Sequence, residues 1–194
     1  MHRIVDTNND GSLTPEDRVA LGTPYPDFTW GITNTFQIKD FDISFLIQGV
    51  QGITVLNGDV YYNETKKWNK KYTKNRWVSA EHPGDGKTPY QNVKTGHDLM
   101  LTDYPLQNAS YACLRNFTVG YTLPATAARK IKLSGVRFYV SGSNLLYIWG
   151  SGYKGINPES RMTSGNYSSA MISGYQRGGF PLTSTISAGF DINF

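Results

Sequence analysis

At 194 residues, the chain suits a single domain, and its one cysteine, Cys113, excludes an internal disulfide framework. Its 20 Gly, 13 Tyr, 9 Phe and 4 Trp favour an all-β architecture in which helix is a minor ingredient. The formal charge of +4 is concentrated locally. No apolar run approaches the roughly 18 residues of a membrane-spanning helix, which leaves open a barrel whose strands are apolar only at alternate positions.

The opening Met1-His2-Arg3-Ile4-Val5 has no apolar signal core, so further sequence is expected upstream of any exported form of this chain. Residues Asp6 to Asp17 then read as a twelve-residue calcium-type loop. Asp6, Asn8, Asp10 and Asp17 fall at positions 1, 3, 5 and 12, Gly11 at the sharp turn, and Ser12 where a backbone carbonyl is used. A hard cation needs six to eight oxygens, and only a tight turn brings such residues to one point. Asp at position 12 instead of Glu resembles dockerin-type loops and predicts a structural Ca2+. The alternative is an Asn/Asp-rich turn that holds no metal. Thr14-Pro15-Glu16-Asp17 reads as an N-cap followed by Pro and acids in a first helical turn, so a short helix is expected to close the loop.

Alternation defines five strands. Phe28, Trp30, Ile32, Phe36 and Ile38 share one face of a strand over 28–38, and Lys39-Asp40 turns it into a second over 41–50 with Phe41, Ile43, Phe45 and Ile47 on the same face. A third strand is expected over about 109–123, with Phe117, Val119, Tyr121 and Leu123 opposite Asn116, Thr118, Gly120 and Thr122. A fourth is expected over about 136–147, and a link over 124–132 with a helical turn joins these two. Arg115 interrupts the apolar series of the third strand, which places it near an interface or beyond a bulge. The last strand, 183–194, carries Ile186, Ala188, Phe190, Ile192 and Phe194 on one face and Ser187, Gly189, Asp191 and Asn193 on the other. A soluble sandwich would bury the apolar face, whereas an outer-membrane barrel turns it to lipid.

Connection lengths favour the barrel. Short links at 39–40 and 124–135 alternate with long segments at 51–108 and 148–182, as short periplasmic turns alternate with long extracellular loops. Five strands cannot close a barrel, for which about eight is the minimum, so the expected fold is an incomplete one: the C-terminal antiparallel strands of a large transmembrane β-barrel.

Asp6-Thr7-Asn8-Asn9-Asp10-Gly11, Asp17 to Gly31, Phe41 to Gly52, Leu114 to Pro124, Val140 to Leu145 and the closing Phe190-Asp191-Ile192-Asn193-Phe194 together resemble the C-terminal part of SusC/RagA-type TonB-dependent outer-membrane transporters. The resemblance covers nearly the whole chain. It implies a plugged barrel of on the order of 22 strands, uptake of oligosaccharides or peptides, a SusD-type surface lipoprotein as lid, and energy supplied through the TonB system. It also implies a bacterial outer-membrane location. Phe190, Ile192 and Phe194 resemble the terminal signal by which such barrels are recognised for assembly.

Other chemistry finds less support. Trp68, Tyr72 and Trp77 lie among Lys66, Lys67, Lys70, Lys71, Lys74 and Arg76. Such a segment is a solvated loop with anchoring aromatics, a partner contact or a platform for glycan. Nucleic acid is not expected, because the basic cluster falls on an outer loop. His2, His82 and His97 lack metal-ligand spacing and no hydrolase motif occurs, so no enzyme is expected. A second functional reading is a secreted calcium-binding β-domain acting as a carbohydrate-binding or adhesion module. It requires Phe28, Trp30, Phe45, Val119 and Phe190 to be buried in a two-sheet core.

Overall fold

A computed structural model describes residues 5–59, 75–86, 88, 102–160 and 174–194. Among the described residues the strands in chain order are β1 (Phe28–Ile38), β2 (Phe41–Gln51), β3 (Thr54–Asn57), β4 (Leu106–Asn108), β5 (Tyr111–Thr122), β6 (Gly135–Trp149), β7 (Tyr175–Gln176) and β8 (Thr185–Asn193), together with an α-helix, α1 (Ala125–Lys130). They divide into two compact units.

One unit, Pro26–Gln51, Ser110–Gly150 and Pro181–Phe194, is an antiparallel sheet in the order β1-β2-β5-β6-β8. Lys39, at φ 54°, makes the tight β1–β2 turn. The register carries the alternation across all five strands. Phe36, Ile43, Val119, Val140 and Ala188 form one apolar row, and Thr35, Ser44, Thr118, Ser141 and Ser187 form the adjacent polar row on the opposite face. The expected strands are therefore present, with boundaries shifted by a few residues.

The apolar face is uncovered. Phe28, Ile32, Phe36, Ile38, Phe41, Phe138, Val140, Leu146, Ile148, Ile186, Phe190 and Ile192 are between 40% and 74% exposed. A water-soluble sheet buries one face against a second layer, and Phe28 and Phe190, which a two-sheet core would require inside, are exposed while Trp30, Phe45 and Val119 are only half-buried. Two glycines on this sheet make room for large neighbours. The Trp30 ring covers Gly49 on the apolar face and the Tyr139 ring covers Gly189 on the polar face, each standing where a Cβ would be.

The sheet is irregular at Arg115. Against β2, Leu46 pairs with Asn116 and Ile47 with Leu114, leaving Arg115 as the extra residue. Against β6, Arg115 lies opposite Asn144 and Leu145. This bulge resets the parity of β5, so that the apolar face takes Phe117, Val119 and Tyr121 on one side of it and Leu114 and Ala112 on the other.

The second unit, Met1–Tyr25, Gly52–Ala109 and Ser151–Phe180, holds a three-stranded sheet in the order β4-β3-β7. β3 is antiparallel to β4 and parallel to β7. Ile53, Val55 and Ala109 are buried around it. The opening segment joins this unit through the Thr54 amide, which donates to the Thr23 carbonyl at 2.8 Å. The residues on which the two long segments close are thus packed and hydrogen-bonded.

Candidate functional site

Three groups of polar side chains are candidates. In the opening loop, the Asp6 carboxylate accepts from the Asn9 amide at 2.7 Å and the Gly11 amide at 2.8 Å. Asp10 accepts from the Ser12 amide at 2.7 Å and from Asn8 Nδ2 at 2.8 Å, and Asn8 Oδ1 accepts from the Asp10 amide at 3.0 Å. Asp17 bridges the ends of the loop, accepting from the Thr7 amide and the Thr14 amide, each at 2.8 Å. Those amides, Thr14 first, hold the Asp17 carboxyl below the usual carboxylate range. The expected short helix is a single 3-10 turn, Pro15–Asp17, with Thr14 as its N-cap and a reciprocal capping box to Asp17. Asp6, Asn8, Asp10 and Asp17 are the oxygen donors a hard cation takes, with Ser12 able to add a carbonyl. Among the described residues, however, no three of His, Cys, Asp and Glu converge on one point, and the loop carboxylates are engaged by backbone amides.

The second group lies on the polar face of the five-stranded sheet, in two clusters. Near the β1–β2 turn, Arg137 Nε and Nη2 donate to the two carboxylate oxygens of Asp42 at 3.0 and 2.6 Å, and Nη1 reaches Asp191 at 3.3 Å. The guanidinium also stands 5.2 Å from the centre of the Tyr139 ring. Farther along, the bulge turns Arg115 onto the same face. Its Nε donates to Gln48 at 3.2 Å and its Nη1 to Asn144 and the Tyr147 hydroxyl at 2.8 and 2.9 Å. Asn144 adopts φ 54°, which turns its amide toward Arg115 and sets the Leu145 methyls against Gly142. Cys113 is buried in this strand, paired in register with Gln48 and Tyr147.

The third group is a buried amide network in the smaller unit. Asn57, Gln107 and Gln176 are 1%, 8% and 6% exposed. Asn57 Nδ2 donates to Gln107 Oε1 at 3.0 Å, and the Tyr153 hydroxyl donates to Gln176 Oε1 at 2.8 Å.

Of the aromatics singled out in the sequence, Trp68 and Tyr72 lie outside the described residues. Trp77 is 40% exposed, and its amide donates to the Thr88 carbonyl at 3.0 Å. Phe190 and Ile192 stand on the exposed apolar face of β8, and Phe194 follows it, 94% exposed. The Arg137 cluster and the amide network were not anticipated from the sequence. Arg137 offered one signal, a cation in an otherwise alternating strand, but its partners depend on register. Nothing in these groups resembles a nucleophile aligned with a base.

No family model matches the chain. It is 30% identical over 199 residues to TonB-dependent receptor P26 of Formosa agariphila, a match that takes in 97% of this chain and 19% of the relative. Against TonB-dependent receptor SusC of Bacteroides thetaiotaomicron it is 27% identical over 157 residues, covering 80% of this chain and 15% of SusC. The chain therefore spans about a fifth or less of the length of these relatives. Among solved structures, the RagAB peptide transporter superposes with a TM-score of 0.63 over 89% of this chain and 18% of its own at 21% identity. The RagAB peptide importer in its closed-closed state gives 0.62 over 95% and 20% at 19% identity. The named relatives are TonB-dependent receptors, and the superposed structures are of a peptide transporter and importer. Over nearly its whole length the chain is a homologue of the TonB-dependent receptors, SusC among them, and its fold matches about a fifth of the RagAB transporter chain.

Proposed function

We propose that the chain supplies five adjacent strands and two long outer segments to the wall of a TonB-dependent outer-membrane transporter that takes up oligosaccharides or peptides. The observation that carries this reading is the uncovered apolar face, which runs through all five strands opposite a face bearing Arg115, Arg137, Asp42 and Asp191. Lipid is the solvent for which such a face is suited, and a polar lumen is the environment for the other. The relatives support the rest by likeness: one is SusC, and the superposed structures are of a peptide transporter and a peptide importer. On this reading a SusD-type lipoprotein caps the outer segments, the TonB system supplies energy, and the five strands need the remaining strands of a barrel before transport occurs. Phe190, Ile192 and Phe194 then present the assembly signal.

The opening loop is part of the proposal as a structural calcium site. A cation there must draw Asp6, Asp10 and Asp17 together and displace some of the amide bonds they now accept. The membrane reading is tested by refolding the 194-residue chain with and without detergent micelles. Aggregation in plain buffer and a dispersed, strand-rich state in detergent are expected; a dispersed monomer in plain buffer would sink the reading.

A further inference from the structure

The two short connections of the five-stranded sheet meet at one end of it. The Thr122 amide donates to the Asp40 carbonyl at 2.8 Å, which sets the end of β5 beside the β1–β2 turn, and the Ser134 amide donates to the Asn193 carbonyl at 2.8 Å, which sets the start of β6 beside the end of β8. Residues 39–40 and 123–134 on these connections hold four cations, Lys39, Arg129, Lys130 and Lys132, against one acid, Asp40. All four cations are exposed, and among the described residues none of their side chains makes a hydrogen bond or an ion pair. Lys39 and Lys132 stand at φ 54° and 61°. The other described non-glycine residues with positive φ are all Asn, which tolerates that conformation. Two lysines without side-chain partners thus occupy backbone that disfavours them. The C-terminal carbonyls of α1 favour cations in its last turn, which accounts for Arg129 and Lys130 but not for Lys39 on a separate turn.

The same end carries the border of the apolar face. Ile38 precedes Lys39, Ile131 lies between Lys130 and Lys132, and both are more than half exposed. α1 packs on β6, where Ala128 and Val136 are buried, whereas Phe138, two residues farther along β6, is exposed. Uncovered apolar strand gives way within a few residues to a packed turn that bears cations. We propose that Lys39, Arg129, Lys130 and Lys132 form a docking surface for the anionic headgroups of phospholipids in the leaflet that borders this end of the sheet. This docking, which rests on the reading that the apolar face meets lipid, follows from geometry. Hydrocarbon against Ile38 and Phe138 puts the headgroup layer level with the two turns. There Ile131 enters the acyl boundary while the long lysine and arginine stems carry their charges to the phosphates. Each cation beside an anionic surface is worth roughly a fivefold preference, screened by salt.

The full 194-residue chain in zwitterionic detergent micelles, doped in separate samples with nitroxide-labelled phosphatidylglycerol or phosphatidylcholine, tests the surface. Broadening of backbone amide NMR signals reports which residues each lipid approaches. Both lipids should broaden Val140 alike, and phosphatidylglycerol should broaden Lys39 and residues 129–132 several-fold more than phosphatidylcholine does. That excess should vanish in Lys39→Asn/Arg129→Gln/Lys130→Gln/Lys132→Asn, where Asn suits the positive φ. It should also shrink at high salt in the unaltered chain, a measurement that needs no variant to fold. Equal broadening of the turns by the two lipids, with Val140 still broadened, would overturn the proposal and leave the membrane reading standing. An excess that survives the four substitutions would overturn it as well. No broadening of Val140 by either lipid would bring down the membrane reading and this proposal with it. Inorganic phosphate that shifts the turn amides as strongly as phosphatidylglycerol does would show a free-phosphate site in place of a lipid-docking surface.

Discussion

Arg137 on β6 closes a two-pronged hydrogen bond with Asp42 on β2 by reaching across the intervening strand at Gly120. Planar guanidinium and carboxylate groups meet in the fork geometry that makes such pairs stronger than a single contact. The two side chains are 32% and 27% exposed, so solvent screens the pair in part. A double-mutant cycle with Arg137→Gln and Asp42→Asn should give a coupling of about 1 kcal/mol in urea unfolding of the detergent-refolded chain. Asp191 is more exposed and makes one longer contact, so its coupling to Arg137 should be a few tenths of a kcal/mol. Equal couplings to both acids would refute the geometric ranking.

Gly120 is what allows that reach. A Cβ there would overlap both an Asp42 oxygen and Arg137 Nη2. Gly120→Ala should therefore abolish most of the Asp42–Arg137 coupling even though neither charge is changed. Repeating the cycle in the Gly120→Ala background measures this, and an unchanged coupling would mean that the guanidinium reaches Asp42 by another route.

The five long strands were legible because each has nine or more residues of alternating character, enough for a period of two to register. A break near Arg115 was legible because one cation falls out of phase, but its place was not: Arg115 is itself the extra residue, where the sequence put it near an interface or beyond a bulge. β3, β4 and β7 were not legible, having four, three and two residues; no periodicity shows in so few positions. Their pairing is also non-local, Leu56 with Tyr175, and sequence alone does not announce that contact. The partners of Arg137 were hidden by a similar cause, because Asp42 lies 95 residues away and meets it only through the register of two neighbouring strands. In the opening loop the spacing singled out Asp6, Asn8, Asp10 and Asp17 but gave no sign of the backbone amides that engage the three carboxylates.

The Asp17 carboxyl should titrate below the usual carboxylate range. The Thr14 and Thr7 amides favour its charged form, so its folded pKa lies below its unfolded value. A group shifted in this direction contributes its stabilisation at every pH above the unfolded value near 3.9 and loses it as pH falls through the depressed folded value. Carboxyl-carbon NMR of Asp17 should show that low midpoint, with the Thr7 and Thr14 amide shifts moving in step. A midpoint at or above the ordinary aspartate value would mean that these bonds do not persist in solution.

Calcium should tighten the same loop. Isothermal titration with CaCl2 is expected to show one site that is lost in Asp6→Ala/Asp10→Ala, and binding should move the Gly11 and Ser12 amide resonances as their carboxylate acceptors turn to the ion. No heat, or heat unchanged by the double substitution, would remove the site and leave the loop as a hydrogen-bonded turn.

Val140 separates lipid from water as the solvent of the apolar face. It lies in the row from Phe36 to Ala188 and is 52% exposed. In a water-soluble sheet, replacing such a residue by Arg changes stability by about 0.5 kcal/mol or less. At the middle of a bilayer the same change costs roughly 2–4 kcal/mol, because the guanidinium must be accommodated in hydrocarbon. Ser141, next along β6 and on the opposite face, is the internal control: Arg there meets the polar row of Ser44, Thr118 and Ser187 and should be tolerated. Urea unfolding in phospholipid vesicles should therefore show Val140→Arg far more costly than Ser141→Arg, with the gap shrinking when the substitution is moved along the outward face to Ile148 near the end of β6, where an arginine can reach the interface. If Val140→Arg and Ser141→Arg cost the same, the apolar face does not meet lipid, and the assignment of inside and outside to this sheet must be abandoned.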